Sequence, residues 1–324
     1  MENNLNRKPL PFRCWKINLT TLFLLFLITG EISAQCLSSV NPVGGTNNLL
    51  VLEKKSLRII SFYKYGQGDQ YFEGTRHSSF NLIDKAYYNY LSTTFGYGIT
   101  NKFTFEVETG YFFNKTQVYN LEPKYRLTGH GLSNMVFLGK HSFYSEPVKR
   151  IFITGAAGVK VPLSGNPQIV NNIELPVEVQ PTIGSYGLVF SASFVKENSG
   201  TGMRYFFISR METNAPNKKE YQLGESFFNS FYVSKHLMFP WLKGDWTTIL
   251  QLRNEIRGYD QFENIRKESS GSVLFFLAPQ INYVYRDEWY FSAMLDIPFY
   301  QNFNGTQLGA GPGFTFIVSK SFRL

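Results

Sequence analysis

Residues able to do chemistry are sparse and scattered in this chain. Its four histidines are His77, His130, His141 and His236. None is paired at metal-ligand spacing and no His-Glu-x-x-His occurs, so isolated surface or interior histidines fit better than a metal site. Gly66-Gln67-Gly68-Asp69 and Gly309-Ala310-Gly311-Pro312-Gly313 are glycine-rich, yet neither sits at a strand-to-helix junction, where a phosphate cradle forms. They read as turns and close-packing positions. Nothing in the pattern brings a serine to a histidine, as a Ser/His/Asp hydrolase requires. The expectation is no catalytic residue, no metal and no cofactor. The basic residues are spread along the chain rather than run together, so nucleic acid is not an expected partner either.

The charged residues carry more information. Lys102, Glu106, Glu108, Lys160, Arg204, Arg210, Arg253, Glu255 and Arg257 fall between apolar neighbours at a spacing of two. That period puts them on the opposite face of a strand from the apolar set. In 102–113, Phe103, Phe105, Val107, Tyr111 and Phe113 alternate with Lys102, Thr104, Glu106 and Glu108. In 150–161, Ile151, Ile153, Ala157, Val159 and Val161 alternate with a set that includes Thr154 and Lys160. Charges of both signs on one face predict a wet or ion-paired interior. Two readings stay open: a polar conduit, or ion pairs bracing a filled barrel.

The elements that must position these charges are strands. Twelve strand-like segments are predicted: 57–65, 86–97, 102–113, 131–144, 150–161, 184–195, 203–213, 222–239, 246–257, 272–285, 289–299 and 308–324. Most reach the roughly 9–11 residues that cross a bilayer at a tilt. Every odd-numbered connection between them is longer than every even-numbered one. Such sorting of long external loops from short periplasmic turns marks an up-and-down outer-membrane barrel. Short turns are marked independently by Gly98-Ile99-Thr100-Asn101, Ser145-Glu146-Pro147 and Arg286-Asp287-Glu288. The predicted fold is all-β, a transmembrane antiparallel up-and-down β-barrel of about twelve strands over 56–324. Composition agrees: charged residues are 17% of the chain, aromatic residues 17%, and mean hydropathy is slightly negative, as expected where apolar and polar residues alternate. Ile151, Ile153, Val159, Tyr186, Leu188 and Phe190 are expected to face lipid. Lys320 interrupts the apolar stripe of the last strand and is expected near the periplasmic edge, where it can snorkel.

The first 34 residues read as a cleaved secretory signal, with an uncleaved anchor or a misread terminus as the alternative. Arg7, Lys8, Arg13 and Lys16 form a basic start, Leu19 to Ile28 an apolar core, and Glu31-Ile32-Ser33-Ala34 leads to a cut before Gln35. Cleavage removes Cys14 and leaves Cys36 without a partner, so no disulfide framework is expected. Gln35 just before Cys36 argues against a lipid-anchored cysteine. Residues 35–55 are expected to be a periplasmic lead-in or a plug in the barrel mouth.

Four pieces follow one another in order: Gly96-Tyr97-Gly98-Ile99-Thr100-Asn101-Lys102-Phe103, Gly129-His130-Gly131-Leu132-Ser133-Asn134, Gly158-Val159-Lys160-Val161-Pro162-Leu163-Ser164-Gly165 and Gln180-Pro181-Thr182-Ile183-Gly184-Ser185. Over roughly 90–195 this order resembles the outer-membrane proteins named for the meta-pathway of phenol degradation. The resemblance implies an outer-membrane barrel with a transport role and supplies no catalytic residue. The expected function is passive passage of a small solute, apolar or aromatic by that analogy. A barrel acting through its external loops in adhesion or as a scaffold is the second reading, and a membrane-embedded enzyme the third. Expected partners are outer-membrane lipid, a small-molecule solute and, through the last strand, the barrel-assembly machinery.

Overall fold

The computed structural model describes Asn41 and residues 48–237, 244–286 and 288–324. The expected signal peptide 1–34 lies outside the described residues, as does all of 35–55 except Asn41 and 48–55. Twelve long strands form the wall: β1 (Ser56–Gly68), β2 (Ile83–Thr100), β3 (Phe103–Tyr119), β4 (Asn134–Glu146), β5 (Ile151–Pro162), β6 (Gly187–Asn198), β7 (Met203–Glu212), β8 (Ser226–Leu237), β9 (Asp245–Arg257), β10 (Ser272–Tyr285), β11 (Trp289–Leu308) and β12 (Gly313–Arg323). Each pairs antiparallel with its sequence neighbours. The sheet closes where β12 pairs with β1, from Ser56 opposite Arg323 to Tyr65 opposite Phe314.

The period of two decides which way each side chain points. Along β3, Thr104 and Glu106 are buried while Phe105, Tyr111 and Phe113 are exposed. Along β9, Gln251, Arg253 and Glu255 are buried while Leu250, Leu252 and Ile256 are exposed. Charged and polar groups share the inside with apolar clusters, while the outer face is apolar, the reverse of a water-soluble sandwich. Such an exterior is stable only against hydrocarbon, and closure leaves no backbone edge unpaired there. The chain is an outer-membrane β-barrel whose apolar belt contacts lipid. Ile153, Val159, Tyr186, Leu188 and Phe190 belong to this exposed face, with Ile151 half-buried on it.

Aromatic side chains mark the short-turn rim. Trp246 near the start of β9 packs on Tyr283, with centroids 4.7 Å apart, and Trp289 at the start of β11 stacks on Phe291 at 6.1 Å. Lys320 sits there too, its ammonium 4.7 Å from the Trp289 ring and 4.7 Å from the Phe322 ring. A lysine at that depth keeps its charge at the interface and covers aromatic surface with its stem.

Several strands run further than the alternation of their apolar residues indicates. The segment expected at 289–299 continues to Leu308, that at 102–113 to Tyr119, and that at 86–97 starts at Ile83. Beyond the membrane these extensions are polar and need no lipid-facing stripe, so they leave no apolar signature. Those of β11 and β3 pair with the short ribbons Tyr71–Gly74 and Tyr125–Leu132, and that of β2 pairs with the end of β3. The β11–β12 connection therefore shrinks to 309–312, no longer than the short turn 147–150. Conversely, the segments expected from 131, 184 and 222 begin at Asn134, Gly187 and Ser226.

Placing an arginine at Leu252, in the middle of the belt, should destabilise the barrel by roughly 2–4 kcal/mol, whereas Lys320→Leu at the rim should change stability by about 1 kcal/mol or less. Urea titration of barrel refolded into bilayers measures both. Equal effects at the two positions would contradict the assigned depths.

Candidate functional site

Among the described residues the interior holds three ion-pair groups, built between neighbouring strands and across the barrel. In the first, Lys140 of β4 meets Glu106 of β3 at 2.7 Å. In the second, the guanidinium of Arg210 on β7 grips Glu108 of β3 through both terminal nitrogens, at 2.9 and 2.8 Å, and donates through Nε to Glu212 at 2.9 Å. The other oxygen of Glu212 accepts from Lys160 Nζ at 3.0 Å. In the third, Asp296 of β11 binds Arg253 at 2.6 Å and Lys64 of β1 at 3.3 Å, while Glu255 takes Arg253 Nε at 3.0 Å and Arg257 at 3.7 Å. All these side chains are largely buried. A buried charge is tolerated only beside an opposite one, and each of these contacts at least one, although the third group sets three cations against two carboxylates.

Of the charges expected to line the lumen, the structure brings Glu106, Glu108, Lys160, Arg210, Arg253, Glu255 and Arg257 into these groups. Lys102 and Arg204 are not among them. Lys102 occupies the β2–β3 turn and is exposed, and Arg204 lies at the short-turn rim beside Glu197 at 3.4 Å. Both have inward parity but stand at strand ends, past the enclosed part of the barrel. Lys64, Lys140, Glu212 and Asp296 complete the groups and were missed. Asp296 was readable, since it sits between the outward Leu295 and Ile297. Lys140 was hidden because apolar residues occupy both faces of its segment.

The N-terminal lead-in enters this charged space. Lys140 Nζ donates to the carbonyl of Asn48 at 2.8 Å and to its side-chain oxygen at 2.9 Å, and Asn48 donates to Glu106 at 3.0 Å. The carbonyl of Leu49 accepts from Thr154 and Ser193 at 2.9 and 2.8 Å. The amide of Leu52 reaches Thr104 at 2.7 Å. Leu49 itself packs among Val195, Phe206, Tyr232 and Ile249. Asn41 donates to Glu255 at 3.2 Å. Gly98 makes room for the segment: a Cβ there would stand 2.0 Å from the carbonyl oxygen of Glu53.

At the opposite end the long connection 163–186 turns inward. Leu175 and Val179 are buried, and the backbone carbonyl of Gln180 accepts from the buried Lys115 at 2.8 Å. Gly129 lets this loop approach, since a Cβ there would lie 2.1 Å from the carbonyl oxygen of Val179. Glu178 on the loop is 7% exposed. Desolvation by burial pushes its carboxyl above the usual range, against its own backbone amide and the charges of Lys267 and Lys115, with Asp260 adding to the rise.

Between the two ends lie cavities of about 100 Å³, bounded by Tyr90, Lys160, Arg210 and Thr182, and about 60 Å³, bounded by Asn48, Phe62, Lys140 and Arg210. A third, of about 50 Å³, adjoins Lys64, Arg253 and Asp296. The histidines stay dispersed: His77, His130 and His141 are exposed, and His236 lies 3.9 Å from Asp245. Among the described residues no group of three His, Cys, Asp or Glu side chains could hold a metal.

A solved structure of an outer membrane channel from Pseudomonas putida F1 superposes with a TM-score of 0.63 at 10% identity, covering 88% of this chain and 100% of that one. The barrel fold is shared. The CymD monoaromatic hydrocarbon channel aligns more loosely, with a TM-score of 0.38 at 9% identity over 90% of this chain and 98% of that one. No family model matches the chain, and no curated protein matches it.

Because the folded pKa of Glu178 is raised, its contribution to seating the loop is full below the ordinary carboxylate value near 4.5 and is lost as pH rises through the folded value. Loop 163–186 should resist limited proteolysis better at pH 5 than at pH 8, and Glu178→Gln should shrink the difference. Equal cleavage of the native loop at both pH values would contradict this. Gly129→Ala should expose the same loop at every pH.

Proposed function

We propose that this barrel is an outer-membrane channel for passive passage of a small solute, with residues 48–53 as a stopper seated in its lumen. The observation that carries this reading is the way the lead-in is held. Its seat is a handful of hydrogen bonds, Leu49 and Leu50 against one apolar niche, and a buried Leu52, with cavities left beyond it. Each hydrogen bond contributes on the order of 1 kcal/mol net and each buried leucine roughly 1.5–3 kcal/mol, far less in total than the twelve-strand wall, so the segment can leave while the wall stays intact.

The shared fold with the Pseudomonas putida outer membrane channel supports the channel reading, as does the resemblance of residues 90–195 to the meta-pathway outer-membrane proteins. Inward Phe62, Tyr88, Tyr90 and Phe112 give the lumen aromatic walls that suit an aromatic or apolar-bodied solute. The last strand would supply the contact for barrel assembly.

Leu49→Asp puts a charge into the niche of Val195, Phe206, Tyr232 and Ile249 and should release the stopper. Liposomes carrying this variant should swell several-fold faster in a neutral pentose than those carrying the native protein. Folding of each variant is checked by the mobility difference of boiled and unboiled barrel in electrophoresis. Folded barrel that admits no pentose in either form would leave the loop-borne adhesion or scaffold reading in its place.

A further inference from the structure

The two cavities of about 100 and 60 Å³ have only two lining residues in common, Glu108 and Arg210. These are the partners of the bidentate pair, at 2.9 and 2.8 Å. Glu108 stands on β3 and Arg210 on β7, with β4, β5 and β6 between them in the sheet. The pair thus reaches across a chord of the barrel rather than along its wall. Above it is the outer cavity, roofed by residues 180–183 of the long loop; below it is the inner cavity, floored by Asn48.

We propose that the Glu108–Arg210 pair is the selectivity constriction of the solute path, and that it admits compact uncharged solutes while rejecting ions. This deepens the channel reading and rests on it. The constriction is a balanced set of four charges: Arg210 and Lys160 against Glu108 and Glu212. All three guanidinium nitrogens of Arg210 are engaged by carboxylate oxygens. An ion of either sign can bind there only by taking one partner from an opposite charge that is itself out of bulk water, and an unmatched buried charge is strongly disfavoured. An uncharged solute faces no such exchange. In the outer cavity it meets Tyr90, Phe112 and Pro181 as apolar wall, with Ser133, Asn134 and Thr182 as hydrogen-bonding groups. Those contacts suit a body with an apolar face and one or two hydroxyl groups.

The test uses the full-length Leu49→Asp barrel as background, in planar bilayers under a potassium chloride gradient and in pentose-loaded swelling assays. Glu108→Gln leaves the group with a net positive charge and should shift the reversal potential toward anion preference. Arg210→Met leaves it net negative and should shift the potential the opposite way. The exchange Glu108→Arg with Arg210→Glu keeps the pair and should return the potential toward that of the background, a rescue that a merely structural role would not give. Ionic conductance should rise in both single variants relative to pentose flux. Pentose flux with reversal potentials unchanged in both single variants overturns the constriction while leaving the channel intact. Absence of pentose flux from every folded form overturns the channel reading, and the constriction with it.

Discussion

Everything in this molecule depends on the pairing of its last strand with its first. From Ser56 opposite Arg323 to Tyr65 opposite Phe314, the closing ladder gives partners to backbone groups that would otherwise meet hydrocarbon. Each unpaired N–H or C=O in that medium costs several kcal/mol. An open sheet of the same strands would carry that penalty along two edges. Closure removes it, and in doing so creates an interior that the sequence must then fill or leave wet.

The interior sets paired charge beside apolar and aromatic clusters. Bringing β3 opposite β7, and β9 near β1 and β11, sets Glu108 against Arg210 and Asp296 between Arg253 and Lys64. These contacts are short and the side chains nearly free of solvent, so each ion depends on its partner to offset lost hydration. An apolar filling would pack as well, but it would leave no polar surface for water or solute. The charged filling braces the wall and keeps the cavities between the ion pairs polar. The two readings left open by the alternation of charges are therefore not exclusive. Pairs such as Lys140–Glu106 brace the barrel and also hold Asn48 of the lead-in.

Glycine governs how chain segments enter this interior from both ends. Gly98 admits the backbone at Glu53, and Gly129 admits the backbone at Val179. Both glycines belong to the short motifs on which the family resemblance rests. Their physical role is clearance: a methyl group at either position would overlap a carbonyl oxygen. The motifs thus mark where backbone segments pack closely against the wall at each end.

The alternation of residue types alone determined much of this. Because strand side chains point to opposite faces with a period of two, Phe105 and Phe113 had to lie opposite Glu106 and Glu108, and the strand number and inward charges followed. Where the pattern ended, legibility ended too. The polar extensions of β3 and β11 carry no apolar stripe, and Lys102 and Arg204 kept inward parity while falling outside the enclosed zone. Partner identity was beyond the sequence altogether. That Arg210 would meet Glu108, 102 residues away, and Asn41 would meet Glu255, 214 residues away, depends on curvature and register around the closed wall. Local periodicity fixes the face of a strand on which a charge stands. Only closure, by fixing which strands oppose one another across the lumen, decides which charge it faces.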